Sequence, residues 1–314
     1  MYFPYLRGKQ FELLALRESA PVIASAGFVP ILEPVRESLT GLRRALEELQ
    51  KAAAKAILIA NPVYGDLRSD ASGVHALLDE LSDACSSIAP GILLTNDMSI
   101  SDVKAVNDSL PDTPKALIHA GFRDPKGLAR LIAEDLAVTQ NIFIDSHANL
   151  LYRRHFTSSP KCLVRDGFIK VRNADYPPVD LFSDLHITYP DRGLDGYGDY
   201  LTIGDTYSEG GGPAYAVAIH LSFIDPSQDD QMFVHHFKST TNDTPADPAG
   251  KFAQALDSLI STLQSGKSHL LETSAVREFR QLHERGHFPG LGHIKKLSIN
   301  HHIETLAEYH AGEG

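Results

Sequence analysis

Short apolar runs alternate with segments of helical period along the first half of the chain. The runs fall at residues 1–6 (MYFPYL), 28–35 (FVPILEPV), 56–60 (AILIA), 92–95 (ILLT), 116–119 (ALIH) and 142–145 (IFID). Between them, Leu39, Leu42, Leu46 and Leu49 repeat at the spacing of one helix face, with Ser38 or Thr40 placed to cap its start. Val74, Leu77, Leu78 and Leu81 predict another helix, and two more follow from about residue 101 and across 125–136. Runs that are apolar on both faces are how parallel strands covered on both sides read. Strict alternation of strand and helix implies right-handed crossovers and a parallel sheet. No GxGxxG turn follows the first strand, and the strand count reaches eight with 161–165 (KCLVR) and 200–203 (YLTI). The prediction is an α/β chain forming a TIM-like (β/α)8 barrel, with its first strand within 2–7 and its last within 199–204.

The second half departs from this rhythm. Asp166-Gly167 sits between CLVR and FIKVR as a two-residue hairpin signal. The segments 214–223 and 232–238 predict an inserted antiparallel β pair, and helices are expected at 251–263, 274–285 and 296–310. The chain therefore reads as one barrel-like domain over 1–314, with a β insertion at 206–248 and a C-terminal helical extension at 270–314. On the last helix Ile294, Leu297, Ile303 and Leu306 form an apolar side. His301 and His302 lie mid-helix, and at least one is expected to point inward and hydrogen-bond the barrel. In the functional extension of that expectation, it reaches a polar mouth shared with Arg7 and Glu33.

Composition narrows the function classes. The net charge is −11, with 29 Lys and Arg against 40 Asp and Glu, which argues against a broad basic face for nucleic acid. No apolar run approaches the length of a membrane span, and the first residues show no basic segment followed by an apolar one, so no secretory leader is expected. The two cysteines, Cys85 and Cys162, are far apart and read as buried inert thiols. A cytoplasmic protein is expected. Fifteen histidines raise a metal hypothesis, but HxH and CxxC are missing, no metal ligands are assigned and the cofactor stays open. His235 and His236 are adjacent in a predicted strand and would face opposite sides. GxSxG and Walker-type loops are also missing.

The carboxyl ends of barrel strands form the active face of such folds. Here those positions hold Arg7 and Lys9, Glu33, Asn61, Asn96 and Asp97, His119, Asp145 and His147, Arg165 and Asp166, and Asp205, with Asp199 at the entry end of the last strand. Arg7 and Lys9 could hold a small anion while Glu33, His119 or Asp145 performs acid–base work. The alternative for Arg7 and Glu33 is a structural ion pair.

Several stretches taken together resemble a known family: YFPYLRGKQFELLALRE, VPILEPV, VRNADYPPVDLFSDL, GYGDYLTIGD, AVAIHLSF with VHHFKS, and INHHIETL. They resemble the bacterial branch of the phage beta protein family, over nearly the whole chain. The resemblance implies a barrel-like α/β fold and a gene neighbourhood of antiphage defence, beside a small predicted nuclease. It carries Arg7, Lys9, Glu12, Glu33, Asp199, Tyr200, His220, His301 and His302 as matched positions, without a reaction. The leading expectation is a sensor or regulatory subunit acting with the nuclease partner. The alternatives are a hydrolase of a phosphate- or nucleotide-like small molecule, and a scaffold without chemistry.

Overall fold

The computed structural model describes residues 1–84 and 87–312, so Cys85 lies outside the described residues. Seven strands run in order around a ring: β1 (Tyr2–Leu6), β2 (Ile31–Leu32), β3 (Ala56–Ile59), β4 (Ile88–Thr95), β5 (Lys115–Ala120), β6 (Val138–Ile144) and β7 (Lys161–Val164). The chain then makes β8 (Val179–Ser183), which belongs to a different sheet, before β9 (Gly196–Asp199) pairs with both β7 and β1 and closes the barrel. All eight barrel strands are parallel, as the alternation predicts. Alternate residues fill the ring: Phe3 and Tyr5, Ile57 and Ile59, Ala116 and Ile118, Ile142 and Ile144, Cys162 and Val164 form one buried cluster. Burial raises the Cys162 thiol well above its usual range, in keeping with an inert core residue.

The connecting helices are α1 (Gln10–Ser25), α2 (Thr40–Lys51), α3 (Ser72–Ala84), α4 (Ile100–Asp108), α5 (Pro125–Glu134) and the single turn α6 (Leu150–Arg153). Helix α2 buries Leu42, Leu46 and Leu49, but Leu39 holds its N-cap position without a side-chain bond, so neither Ser38 nor Thr40 caps it. Helix α4 opens on a reciprocal capping box between Ser99 and Asp102, and α5 on Asp124 followed by Pro125.

Two strand expectations are corrected. The last barrel strand is Gly196–Asp199, not 200–203. Its ring-facing positions are glycines, because a Cβ at Gly196 would lie 2.7 Å from the Phe3 ring and one at Gly198 2.2 Å from the Phe3 carbonyl oxygen. The strand ends where Leu201 takes a left-handed φ of 50°, and Leu201–Ile203 form a 3-10 turn. The hairpin expected at Asp166-Gly167 is not formed, since residues 168–172 are not strand.

Packing divides the chain into a barrel unit, Met1–Asp166 with Thr188–Tyr200, and a second unit, Gly167–Ile187 with Leu201–Gly314. The second unit gathers the expected β insertion and C-terminal helices and adds residues 167–187. Its sheet has the order β10 (Ala218–Asp225), β11 (Gln231–Lys238), β8, all antiparallel. A short α7 (Leu185–Thr188) follows β8, and the helices are α8 (Pro248–Gln264), α9 (Ser274–Arg285) and α10 (Leu291–Gly312). One sheet face carries Ile219, Leu221, Phe223 and Phe237, packed with Phe252 and Leu259 of α8, Val276 and Phe279 of α9, and Leu297 of α10. By the twofold period of a strand, the opposite face carries His220, Ser222 and His236.

Candidate functional site

Residues at the first strand-to-helix junction of the barrel are engaged with one another. Glu33, fully buried just past β2, receives the Tyr5 hydroxyl at 2.9 Å and the Val63 backbone N–H at 3.1 Å, and faces the Arg7 guanidinium at 3.5 Å. That guanidinium lies over three tyrosine rings, with centroids 4.9 Å away at Tyr64, 5.3 Å at Tyr200 and 5.7 Å at Tyr5. Glu12, in the first turn of α1, accepts the Arg7 backbone N–H at 2.8 Å, and Lys9 occupies the N-cap of that helix. The sequence-predicted Arg7–Glu33 pair is thus present, inside an aromatic frame.

The other strand-end residues mostly do local work. Asn61 continues the sheet beyond β3: its amide donates to Leu93 O at 2.9 Å and accepts from Leu93 N–H at 2.8 Å, standing in for a strand backbone. Asp145 and Arg165, just past β6 and β7, form an ion pair at 2.7 Å. Asp199 accepts the buried Tyr2 hydroxyl at 2.7 Å. Burial, and then Asp199, raise the Tyr2 hydroxyl well above the phenolic range.

His119 is not at the mouth. Its neighbour Ile118 points into the ring, so His119 faces outward, stacked on Phe143 and Phe156 with centroids at 4.5 Å to each. Both ring nitrogens are used, Nδ1 with the Tyr152 hydroxyl at 2.9 Å and Nε2 with Asn141 Oδ1 at 3.1 Å. Burial pushes its pKa down to about 3, against a partial opposing effect of Asn141. Below the unfolded value of about 6.5, the unfolded chain therefore binds a proton that the folded chain does not. Stability present at neutral pH is lost as pH falls toward 3, by about 1.4 kcal/mol per pH unit. His119→Gln should flatten the pH dependence of the urea midpoint between about 6.5 and 4.5 by that increment. An unchanged slope would mean that His119 is protonated in the fold.

His301 and His302 are both fully buried, as expected of at least one of them. The expected partner was the barrel, whereas His301 bonds Ser222 O of β10 at 2.7 Å and the Thr273 hydroxyl at 2.8 Å. His302 Nδ1 meets the Ser222 hydroxyl at 3.0 Å.

The second unit holds a cavity of about 960 Å³ that strand-end reasoning did not reach. Its wall includes the strap of residues 168–176, which is pinned over the sheet: Asn173 donates to Ala216 O at 2.9 Å, and Lys238 to Ala174 O at 3.1 Å and to Tyr176 O. Three cations, Lys170, Arg172 and Lys295, line it against one carboxylate, Asp175, which Arg172 itself engages at 2.7 Å. Apolar rim comes from Val171, Tyr215 and Leu291, all exposed. Thr202, buried, lines the cavity with its hydroxyl lacking a hydrogen bond.

His220, a sequence candidate, also lines this cavity. It lies directly across the ladder from His236, and the two Nδ1 atoms are 2.7 Å apart. Tyr176 stacks on His236 at 4.4 Å, and Phe168 meets the His220 ring edge at 5.0 Å. Burial and the neighbouring imidazole push His220 down to about 3, and burial with nearby His235 and Lys238 pushes His236 down to about 4, so both are neutral at neutral pH. The adjacent His235 points the other way and stacks on Phe237 at 4.0 Å. His236, Tyr176 and the cations were missed because they are joined only by the hairpin register and by a strap that reads as a strand. Among the described residues, no group of three or more His, Cys, Asp or Glu side chains is gathered to hold a metal, and no helix is long and apolar enough to cross a membrane. Comparisons with family models, curated proteins and solved structures returned no match.

Proposed function

We propose that this protein is a ligand-responsive regulatory subunit of an antiphage defence system, acting with a small nuclease partner, and that its second unit receives the ligand. The observation that carries this reading is the cavity of about 960 Å³ with three cations to one carboxylate in a chain of net charge −11. An anion is the ligand such a lining selects, because fixed like charges raise the local concentration of their counter-ion. The partner and the setting rest on the resemblance in sequence. The hydrolase reading stands second, since the groups it would use are otherwise engaged. Glu33 and Asp145 each face an arginine, and His119 is sealed in an outward-facing aromatic cluster.

Co-expression with the product of the neighbouring gene tests the proposal. A stoichiometric complex that survives size exclusion, together with phage protection requiring both proteins, is the expected result. Migration of this chain alone, with protection intact when it is deleted, would refute the regulatory role. Release of phosphate from a nucleotide by the purified chain would favour the hydrolase.

A further inference from the structure

The geometry points to a specific ligand class for this cavity: a phosphorylated nucleoside or similar aryl phosphate, read by a hydrogen-bond acceptor that Asp180 and His236 hold in place on His220. This inference rests on the proposed ligand-binding role of the second unit and names what binds there.

Two Nδ1 atoms at 2.7 Å require that one donate and the other accept. Two tautomer assignments satisfy this, and Asp180 decides between them. Its Oδ2 lies 3.8 Å from His236 Nε2, a buried nitrogen with no hydrogen bond. If Nε2 carries the hydrogen, it points toward the carboxylate. If it is bare, a buried lone pair faces the negative charge of a half-exposed carboxylate, an unfavourable alignment of like polarity. The favoured state has His236 as the Nε2–H tautomer, so its Nδ1 accepts and His220 Nδ1 donates. His220 Nε2 is then left as a lone-pair acceptor. His220 lines the cavity, and its Nε2 has no hydrogen bond yet is not among the sealed polar atoms of the structure.

Further observations bear on what that acceptor would meet. The depressed titration of both imidazoles keeps the acceptor neutral rather than cationic. The Thr202 hydroxyl, on a residue that lines the cavity, has no hydrogen bond and is itself sealed, so it adds an unpaired polar group behind the wall rather than a ready contact. Tyr215 and Val171 offer exposed apolar surface, Tyr215 in a form suited to the face of a planar ring, while the cations suit a phosphate. A ligand that combines an anionic phosphate, a flat ring and an N–H or O–H donor uses the cations, the apolar surface and the acceptor. A bare inorganic anion uses only the cations.

The first test reads the tautomers in the full-length protein by long-range 15N–1H spectra of the imidazoles. His220 is expected as Nδ1–H and His236 as Nε2–H, and Asp180→Asn should mix the two states. A His220 ring protonated at Nε2 overturns the relay. The second test titrates adenosine and guanosine mono- and triphosphates, phenyl phosphate and inorganic phosphate by calorimetry. The expected result is binding of a nucleotide or phenyl phosphate, at least about tenfold tighter than inorganic phosphate. His220→Phe, which keeps a ring but loses the acceptor, should weaken it by roughly tenfold. Lys295→Glu, a change at the cavity rim that does not depend on repacking the sheet, should weaken all the anions. Equal affinity of His220→Phe for the nucleotide overturns the acceptor role, and equal affinity for inorganic phosphate overturns the ring. If none of these probes binds while Lys295→Glu still abolishes phage protection with the nuclease complex intact, the ligand class is wrong and the regulatory reading survives. If protection is also unaffected, both fall.

Discussion

Glu33→Ala should lower the unfolding free energy of the barrel by about 3–5 kcal/mol, the range expected when one member of a buried, hydrogen-bonded ion pair is removed. Glu33 is fully buried and accepts from both Tyr5 and Val63 while facing Arg7. Alanine leaves the Tyr5 hydroxyl and the Val63 N–H without that acceptor, and it removes the charge opposite a guanidinium framed by three tyrosines. Tyr5→Phe removes one of these bonds and keeps the charges, so it should cost only about 1 kcal/mol. Arg7→Ala separates structure from ligand binding at this junction. A stable variant that loses the proposed phage protection would assign Arg7 to a ligand, and a destabilised one to the frame. The chain lacks tryptophan, so urea unfolding is best followed by near-ultraviolet circular dichroism of its tyrosines. A loss below about 1 kcal/mol in Glu33→Ala would show that the pair contributes nothing beyond an isosteric contact.

His301→Ala should destabilise the second unit on a similar scale, about 3–5 kcal/mol. Ser222 O can only accept, so His301 Nε2 donates to it and Nδ1 accepts from the Thr273 hydroxyl. Thr273 Oγ1 in turn accepts from Val276 N–H at 3.2 Å, capping α9. One imidazole therefore ties β10, α9 and α10 together, and its burial pushes its pKa down to about 4, so it enters the fold neutral. Truncation to alanine adds a cavity to two lost bonds. Amide exchange should accelerate along the central turns of α10 and at the start of α9. Unchanged protection there would show that the helices dock through their apolar contacts alone.

The barrel was legible because strands covered on both faces are apolar at every position, and the helices between them keep a clean period. The last strand was not, because a strand whose ring-facing residues are glycine has no apolar run, whereas the YLTI just after it does. Strand β8 escaped for another reason. It is an edge strand with Val179 41 % and Leu181 56 % exposed, so its alternation carries little burial signal. At the candidate site, the strand-end rule named Arg7, Glu33, Asp145 and Arg165 but could not show that these charges pair off in two pairs. His119 failed by one position of strand parity, which sends a side chain to the opposite face. His220 came from the resemblance. Its partner His236 needs the register of a hairpin, and the cavity around them is assembled from segments near 170, 215 and 295 that no local pattern connects.

The path of the chain through its two units shapes how the protein can be made and broken. Between β7 and β9 the polypeptide leaves the barrel, contributes β8 to the other sheet and returns. During synthesis from the N-terminus, the free edges of β1 and β7 therefore wait for Gly196–Asp199, and β8 waits in turn for β11. Each unit starts before the other can finish, so maturation is interleaved rather than sequential, with open strand edges exposed meanwhile to other chains or to chaperones. A stop codon just before residue 167 yields a ring missing its closing stave. One just after residue 200 yields a ring that can close but trails an orphan strand. No single scission frees an intact half, so the two units are kept or lost together, and dissecting their roles calls for point substitutions rather than deletions.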